Sequence, residues 1–125
     1  MIEKFKKILK ELEDSKGEIK LFALLKMDEI VDKWSIILSA SWITDEEQVR
    51  DKIFDEVIDK IDRTLTDTET DTIARLSLYN VDNYLVDLIA NRCGNVVGED
   101  MKTLNNEAIN GNQIHEAVIL RSRVS

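Results

Sequence analysis

The chain has 125 residues, 43% of them hydrophobic and 34% charged, which fits one folded core and argues against a disordered chain. Its formal charge of −8 argues against nucleic acid as the main partner, because phosphate binding rests on clustered Lys and Arg. One cysteine and one histidine exclude an internal disulfide framework and are too few for a soft-ligand zinc site.

In chain order, Ile2, Phe5, Ile8, Leu9 and Leu12 recur at helical spacing over residues 2–14, with lysines elsewhere on the surface. This predicts an amphipathic helix. Ser15-Lys16-Gly17 ends it, because glycine takes the backbone conformations that close a helix. Ile19 to Met27 is nearly all apolar, the pattern of a central strand covered on both faces. After a polar connection, Asp28 to Lys33, the residues alternate. Trp34, Ile36, Leu38, Ala40 and Trp42 fall on one side, and Ser35, Ile37, Ser39 and Ser41 on the other. The two segments read as a β-hairpin.

Thr44 and Glu47 have the spacing of a capping box, which predicts the start of a second helix. Val49, Ile53, Phe54, Val57, Ile58, Ile61 and Leu65 continue it and are expected to lie on the sheet. Thr66 to Thr72, made only of Thr, Asp and Glu, reads as a solvated loop. Ile73 to Tyr79 favours a third strand over a helix. Val81, Tyr84, Leu85, Leu88 and Ile89 return to helical spacing, with Asn80 or Asp82 as the cap and Gly94 as the stop. Met101 to Ile109 and Gln113 to Arg121 flank Asn110-Gly111, the signal of a tight hairpin turn. The expected fold is α+β: a single domain, 1–125, built on a single mixed, mainly antiparallel sheet of about five strands with two or three helices. Its order is α-β-β-α-β-α-β-β.

Lys33-Trp34, Ser39-Ala40, Trp42, the strand around Arg75-Leu76, and the closing Gly111, Ile114, Ala117, Ile119 and Ser122 carry a resemblance. Together they resemble a family of small, uncharacterised prokaryotic proteins with a Lys-Trp strand running into Ser-Ala-x-Trp and a C-terminal Gly, Ile, Ala, Ser pattern. The resemblance spans roughly residues 19–123 and implies the fold but no activity. Ser35 stands where that pattern carries Asp, and Ser41 where it carries Pro. Ser35 cannot serve as a base.

Charged residues from Lys20 to Lys33 interrupt the most apolar region, so no run reaches the about 18 uncharged residues of a membrane span. Met1 to Ile8 alternates charge with apolar residues, unlike a signal peptide. A cytoplasmic location is expected.

Trp34 and Trp42 are an even number of residues apart and should share the inward face of their strand, Trp42 at its end keeping a claim to a partner site. The opposite serines read as small polar residues on a solvent-facing or helix-covered side. Glu47, Asp51, Asp55 and Asp59 follow at four-residue steps, with Asp62 nearby, and form an acidic stripe on the second helix. Residues 44–71 hold eleven acids against four bases, nearly the whole charge excess. Glu56 with Lys60, and Asp59 with Arg63, are expected to offset part of the repulsion. A basic partner would fit this face; so would plain solvation.

Asp67, Glu69 and Asp71 open like a calcium loop, but Thr72 replaces the turn glycine and Leu78 the bidentate acid. Asp28, Glu29 and Asp32 read as a solvated turn. His115 could move a proton at neutral pH, yet it reads as an edge-strand or surface residue. Cys93 reads as a buried thiol at a helix C-terminus. With no phosphate-cradling glycine loop and no serine elbow, no cofactor is expected.

The expected function is a non-catalytic protein-interaction or assembly module, with Trp42, Glu47, Asp51, Asp55 and Asp59 as partner-binding residues. The alternative is a small metal-assisted hydrolase using carboxylates and His115. A protein partner or self-association as a homodimer is expected, because two or three short helices cannot cover both faces and edges of a five-stranded sheet.

Overall fold

A computed structural model describes residues 1–27, 32–109 and 111–124. Helix α1 (Ile2–Lys16) leads into β1 (Ile19–Met27) and β2 (Trp34–Ala40), followed by α2 (Glu47–Thr64), the one-turn α3 (Asp67–Thr70) and β3 (Ile73–Tyr79). Helix α4 (Tyr84–Cys93), β4 (Lys102–Ile109) and β5 (Asn112–Ser122) complete the chain. The five strands form one sheet in the order β3-β2-β1-β5-β4. The fold is α+β, in the expected element order apart from α3.

Three strand pairings are antiparallel, β1 with β2, β1 with β5 and β4 with β5. Only β2 and β3 run parallel, because the chain crosses back through α2 between them. The first hairpin stands as expected, with residues 28–31 of its connection, Asp28 and Glu29 among them, outside the described residues. In the second hairpin Ile109 faces Asn112, leaving a two-residue turn. Gly111 has φ 77°, the left-handed conformation that such a turn requires, while Asn110 lies outside the described residues.

Helices α1 and α2 cover one face of the sheet. Phe5, Ile8 and Leu12 of α1 and Ile53, Val57 and Ile61 of α2 bury against Phe22, Leu24, Ile36 and Leu38. Each such side chain contributes about 1.5–3 kcal/mol by leaving water. Phe5 meets Phe22 edge to face, with ring centroids 6.2 Å apart. Trp34 joins this core as expected, and Lys26 lies 4.6 Å from its ring centroid. On the opposite face α4 packs Val86, Ile89 and Cys93 against Leu21, Ala23 and Ile119. The continuous apolar run of β1 is thus explained by helices on both sides.

Several local expectations are corrected. Strand β2 ends at Ala40, where the Ile43 N–H bonds back to the Ala40 carbonyl at 3.1 Å and closes a turn. Trp42 therefore follows the strand. The Thr44 and Glu47 capping box does not form: Glu46 is the N-cap of α2, and Thr44 Oγ1 instead accepts from the Glu46 N–H two residues on, at 3.3 Å. A capping box does form between Thr66 and Glu69, which turns the expected loop into α3. Asn83, not Asn80 or Asp82, caps α4, its side chain accepting from the Leu85 and Val86 N–H groups. Asn80 is committed elsewhere, donating to the Ile43 carbonyl at 2.6 Å.

Candidate functional site

Successive residues of a helix turn by roughly 100°, so Phe54, Ile58 and Asp62 follow one row of α2, with Glu47, Asp51 and Asp55 on the same flank. The opposite flank faces α1. There Glu56 pairs with Lys16 at 2.7 Å and Lys60 with Glu11 at 3.6 Å, so the expected pairing of Glu56 with Lys60 is replaced by bridges between helices. Asp59 does pair with Arg63. Glu47, Asp51, Asp55 and Asp62 have no ion-pair partner among the described residues.

Of these acids Asp62 lines a largely apolar groove, and Glu47, Asp51 and Asp55 follow the same flank of α2 toward its N-terminus. The groove lies between α2 and β3, has a volume of about 200 Å³, and is lined by Phe54, Ile58 and Ile61 on one side and Ile73, Ala74, Arg75 and Leu76 on the other. Phe54 was expected on the sheet; it is 38% exposed, because only the row through Ile53, Val57 and Ile61 reaches the core. Strand β3 is the outermost strand on this side, with a register irregularity beside Ala74. From there to Tyr79 its outer edge has no strand partner among the described residues.

Trp42 stands apart from this groove. It is half-buried against the α1/α2 core, its Nε1 donates to the Gly17 carbonyl at 3.3 Å, and Lys16 Nζ lies 5.8 Å from its ring centroid. Of the residues expected to meet a partner, none lines the groove itself; Glu47, Asp51 and Asp55 follow the same flank of α2, and Trp42 and Asp59 lie elsewhere. The sequence placed Phe54 against the sheet and Ile73 and Ala74 in a strand, and none of the three in a groove. An aromatic in an apolar helical row looks like core until the width of the covered face is known.

A second concavity lies on the other face. Helix α4 has ten residues, about 15 Å, whereas β1 and β5 have nine and eleven residues and run about 30 Å or more. Beyond α4 the sheet forms a cavity of about 230 Å³ floored by Leu25, Ile37 and Ile114 and walled by Ser35, Ser77 and Tyr79. Ser35, from the serine row opposite Trp34, is 3% exposed and accepts a hydrogen bond from Arg75 Nε at 3.2 Å. Ser39 in the same row is buried and donates to the Asn80 carbonyl at 3.2 Å. Ser41, past the strand end, is exposed.

His115 is exposed on β5, an interior strand of the sheet, so it is a surface residue but not an edge-strand one. Among the described residues no three of His, Cys, Asp or Glu are grouped so as to hold a metal ion. Cys93 is 5% exposed, and burial pushes its thiol above the ordinary range despite the nearby charges of Lys102 and Arg92. Burial also raises Glu13, but the Ile19 N–H, Arg121 and Arg123 outweigh it and leave this carboxyl below its usual range. Among the described residues no helix is long and apolar enough to cross a membrane. In comparison with known proteins, the chain matches no family model, no curated protein and no solved structure.

Proposed function

We propose that this chain is a non-catalytic protein-interaction module that docks an extended, basic segment of a partner protein in the α2/β3 groove. One observation supports the reading: an apolar groove beside the outermost strand is lined by Asp62 and lies on the flank of α2 that carries Glu47, Asp51 and Asp55, four carboxylates without ion-pair partners among the described residues. A strand laid along β3 would gain main-chain hydrogen bonds from the open edge, and its apolar side chains would bury Phe54 and Ile58. Its Lys or Arg residues would meet Glu47, Asp51, Asp55 and Asp62, which favours rapid association and selects against acidic partners.

Partner capture followed by calorimetry tests the reading. Neutralising Glu47, Asp51 and Asp55 to Asn or Gln should weaken binding at least about tenfold and flatten its salt dependence. Binding that survives both this triple change and Phe54→Asp would place the partner elsewhere. Pairing of two copies along β3 as a homodimer is the second reading, favoured by the same open edge. It would oppose two acidic flanks, and light scattering separates it from the first by mass.

A further inference from the structure

We infer that the cavity beyond α4 is a binding site for a small, neutral aromatic molecule, either a substituted single ring or a fused pair. The cavity lies on the opposite face of the sheet from α1 and α2, so it is independent of any partner in the α2/β3 groove.

The cavity is bounded by three elements. Leu25, Ile37 and Ile114, each at most 5% exposed, form its floor on the sheet. Leu85 and Ile89 of α4 close one side, and Ile109 and Asn112, which flank the β4/β5 turn, close another. The strand register sets its two ends. Ser35 and Ile37 of β2 face Leu25 and Ala23 of β1, while Ser35, Ile37 and Ser39 face Arg75, Ser77 and Tyr79 of β3. Met27 therefore lies past the Leu25 end and Tyr79 at the opposite end, with the apolar floor between them.

Size and chemistry both favour a ring. An apolar cavity of about 150 Å³ holds benzene, and at about 230 Å³ this one has room for a substituent or a second fused ring. Water is a poor occupant of the floor, because a buried water needs about two to four polar partners and the side chains of Leu25, Ile37 and Ile114 offer none. A ring laid on them would supply the dispersion contacts that empty space forfeits. The sulfur of Met27 and the ring of Tyr79, at the two ends, both make favourable contacts with aromatic edges and faces, which selects an aromatic body over a saturated one.

The lining also selects for charge. Among the described residues that line the cavity Arg75 alone is charged, and its guanidinium is already committed: Nε donates to Ser35 Oγ at 3.2 Å and Nη2 lies 3.9 Å from Met27 Sδ. An ionised head would give up its hydration without meeting an uncommitted counter-charge, which costs far more than burying a neutral group. The other polar groups are neutral. Ser77, Tyr79 and Asn112 are more exposed than the floor and so mark the mouth, where a hydroxyl or an amide can either donate to or accept from one neutral substituent on the ring.

Titration of the full chain with phenol, followed by amide chemical shifts, tests the site, with benzoate and benzylammonium as charged controls and cyclohexanol as the saturated one. Phenol should give saturable shifts centred on Leu25, Ile37, Ser77 and Leu85. Benzoate and benzylammonium should bind at least about tenfold more weakly, and cyclohexanol at least about threefold. Ser77→Phe, which grows a ring into the cavity from the outermost strand, should abolish the phenol shifts while leaving the circular-dichroism spectrum unchanged. Leu85→Trp gives the same readout from α4 if the first variant does not fold. The absence of saturable shifts, or shifts unaltered in either folded variant, would overturn the site. Equal binding of either charged control would overturn the neutral class, and equal binding of cyclohexanol the aromatic one.

Discussion

Glu13 and Arg121, 108 residues apart in sequence, meet at the end of the sheet, where Arg121 donates from Nε and Nη2 to Glu13 Oε1 at 3.2 and 2.7 Å. The other carboxylate oxygen accepts from the Ile19 N–H at 3.0 Å and from Arg123 at 3.3 Å. One side chain on α1 thereby fixes the start of β1 and the end of β5. Arg121 is 7% exposed, so removing its partner leaves a buried cation uncompensated. Glu13→Ala is expected to cost about 2–4 kcal/mol, read as a lower midpoint in urea at unchanged slope.

Glu69 links the N-terminus to α3 and titrates with stability. Hydrogen bonding from Lys4, then from the Thr66 N–H, holds its carboxyl down at about 2 against an ordinary value of 4.5. A depressed carboxyl contributes stability that is complete above its unfolded value and disappears as pH falls through its folded value. The loss should therefore fall between about pH 4.5 and 2. Thermal melts of the native chain and Glu69→Gln should converge at the acid end of this window and separate above it.

The two rows of α2 should respond differently to truncation. Ile61 is 2% exposed and Phe54 38% exposed on the same helix. Ile61→Ala is expected to cost about 2–5 kcal/mol. Phe54→Ala should cost under about 1 kcal/mol, since a surface side chain gives up little burial. Equal losses in chemical denaturation would mean that Phe54 belongs to the core and that the groove is not a free surface.

Gly17 joins α1 to β1 with φ 120°, a backbone conformation that L side chains rarely adopt, and its carbonyl receives the Trp42 indole. Gly17→Ala should destabilise the fold by about 1–2 kcal/mol through backbone strain, since the nearest atom to an added Cβ, on Trp42, lies at an ordinary 3.7 Å. A stability equal to the native chain, measured by urea unfolding, would show that the backbone relaxes there freely.

Cys93 offers a probe of opening. Its thiol is buried and raised above the ordinary range, so reagent access requires local opening around α4 and the thiolate fraction is small. Labelling by an aromatic disulfide at mildly alkaline pH should be at least about a hundredfold slower in the native chain than in urea. A rate equal to that in urea would mean that Cys93 is accessible in the folded chain.

The sequence by itself determined the elements whose signals are local. The spacing of Phe5, Ile8 and Leu12 set α1, the unbroken apolar run of β1 required cover on both faces, and Asn110-Gly111 set the closing hairpin. Local chemistry also misled, because short side chains have more than one backbone group within reach. Thr44 turned to the Glu46 N–H, and Thr66, three residues before Glu69, made the box instead. Tertiary structure alone decided how much of each face is covered. The acids of α2 look alike in sequence, yet α1 supplies Lys16 to Glu56 and its own Glu11 to Lys60, while Glu47, Asp51, Asp55 and Asp62 have no ion-pair partner among the described residues. Likewise the serines opposite Trp34 read as polar filler until the ten residues of α4 proved too short to roof the sheet. Periodicity fixes which side of an element is apolar; the lengths and packing of its neighbours fix which part of that side is left open, and no local pattern encodes those lengths together.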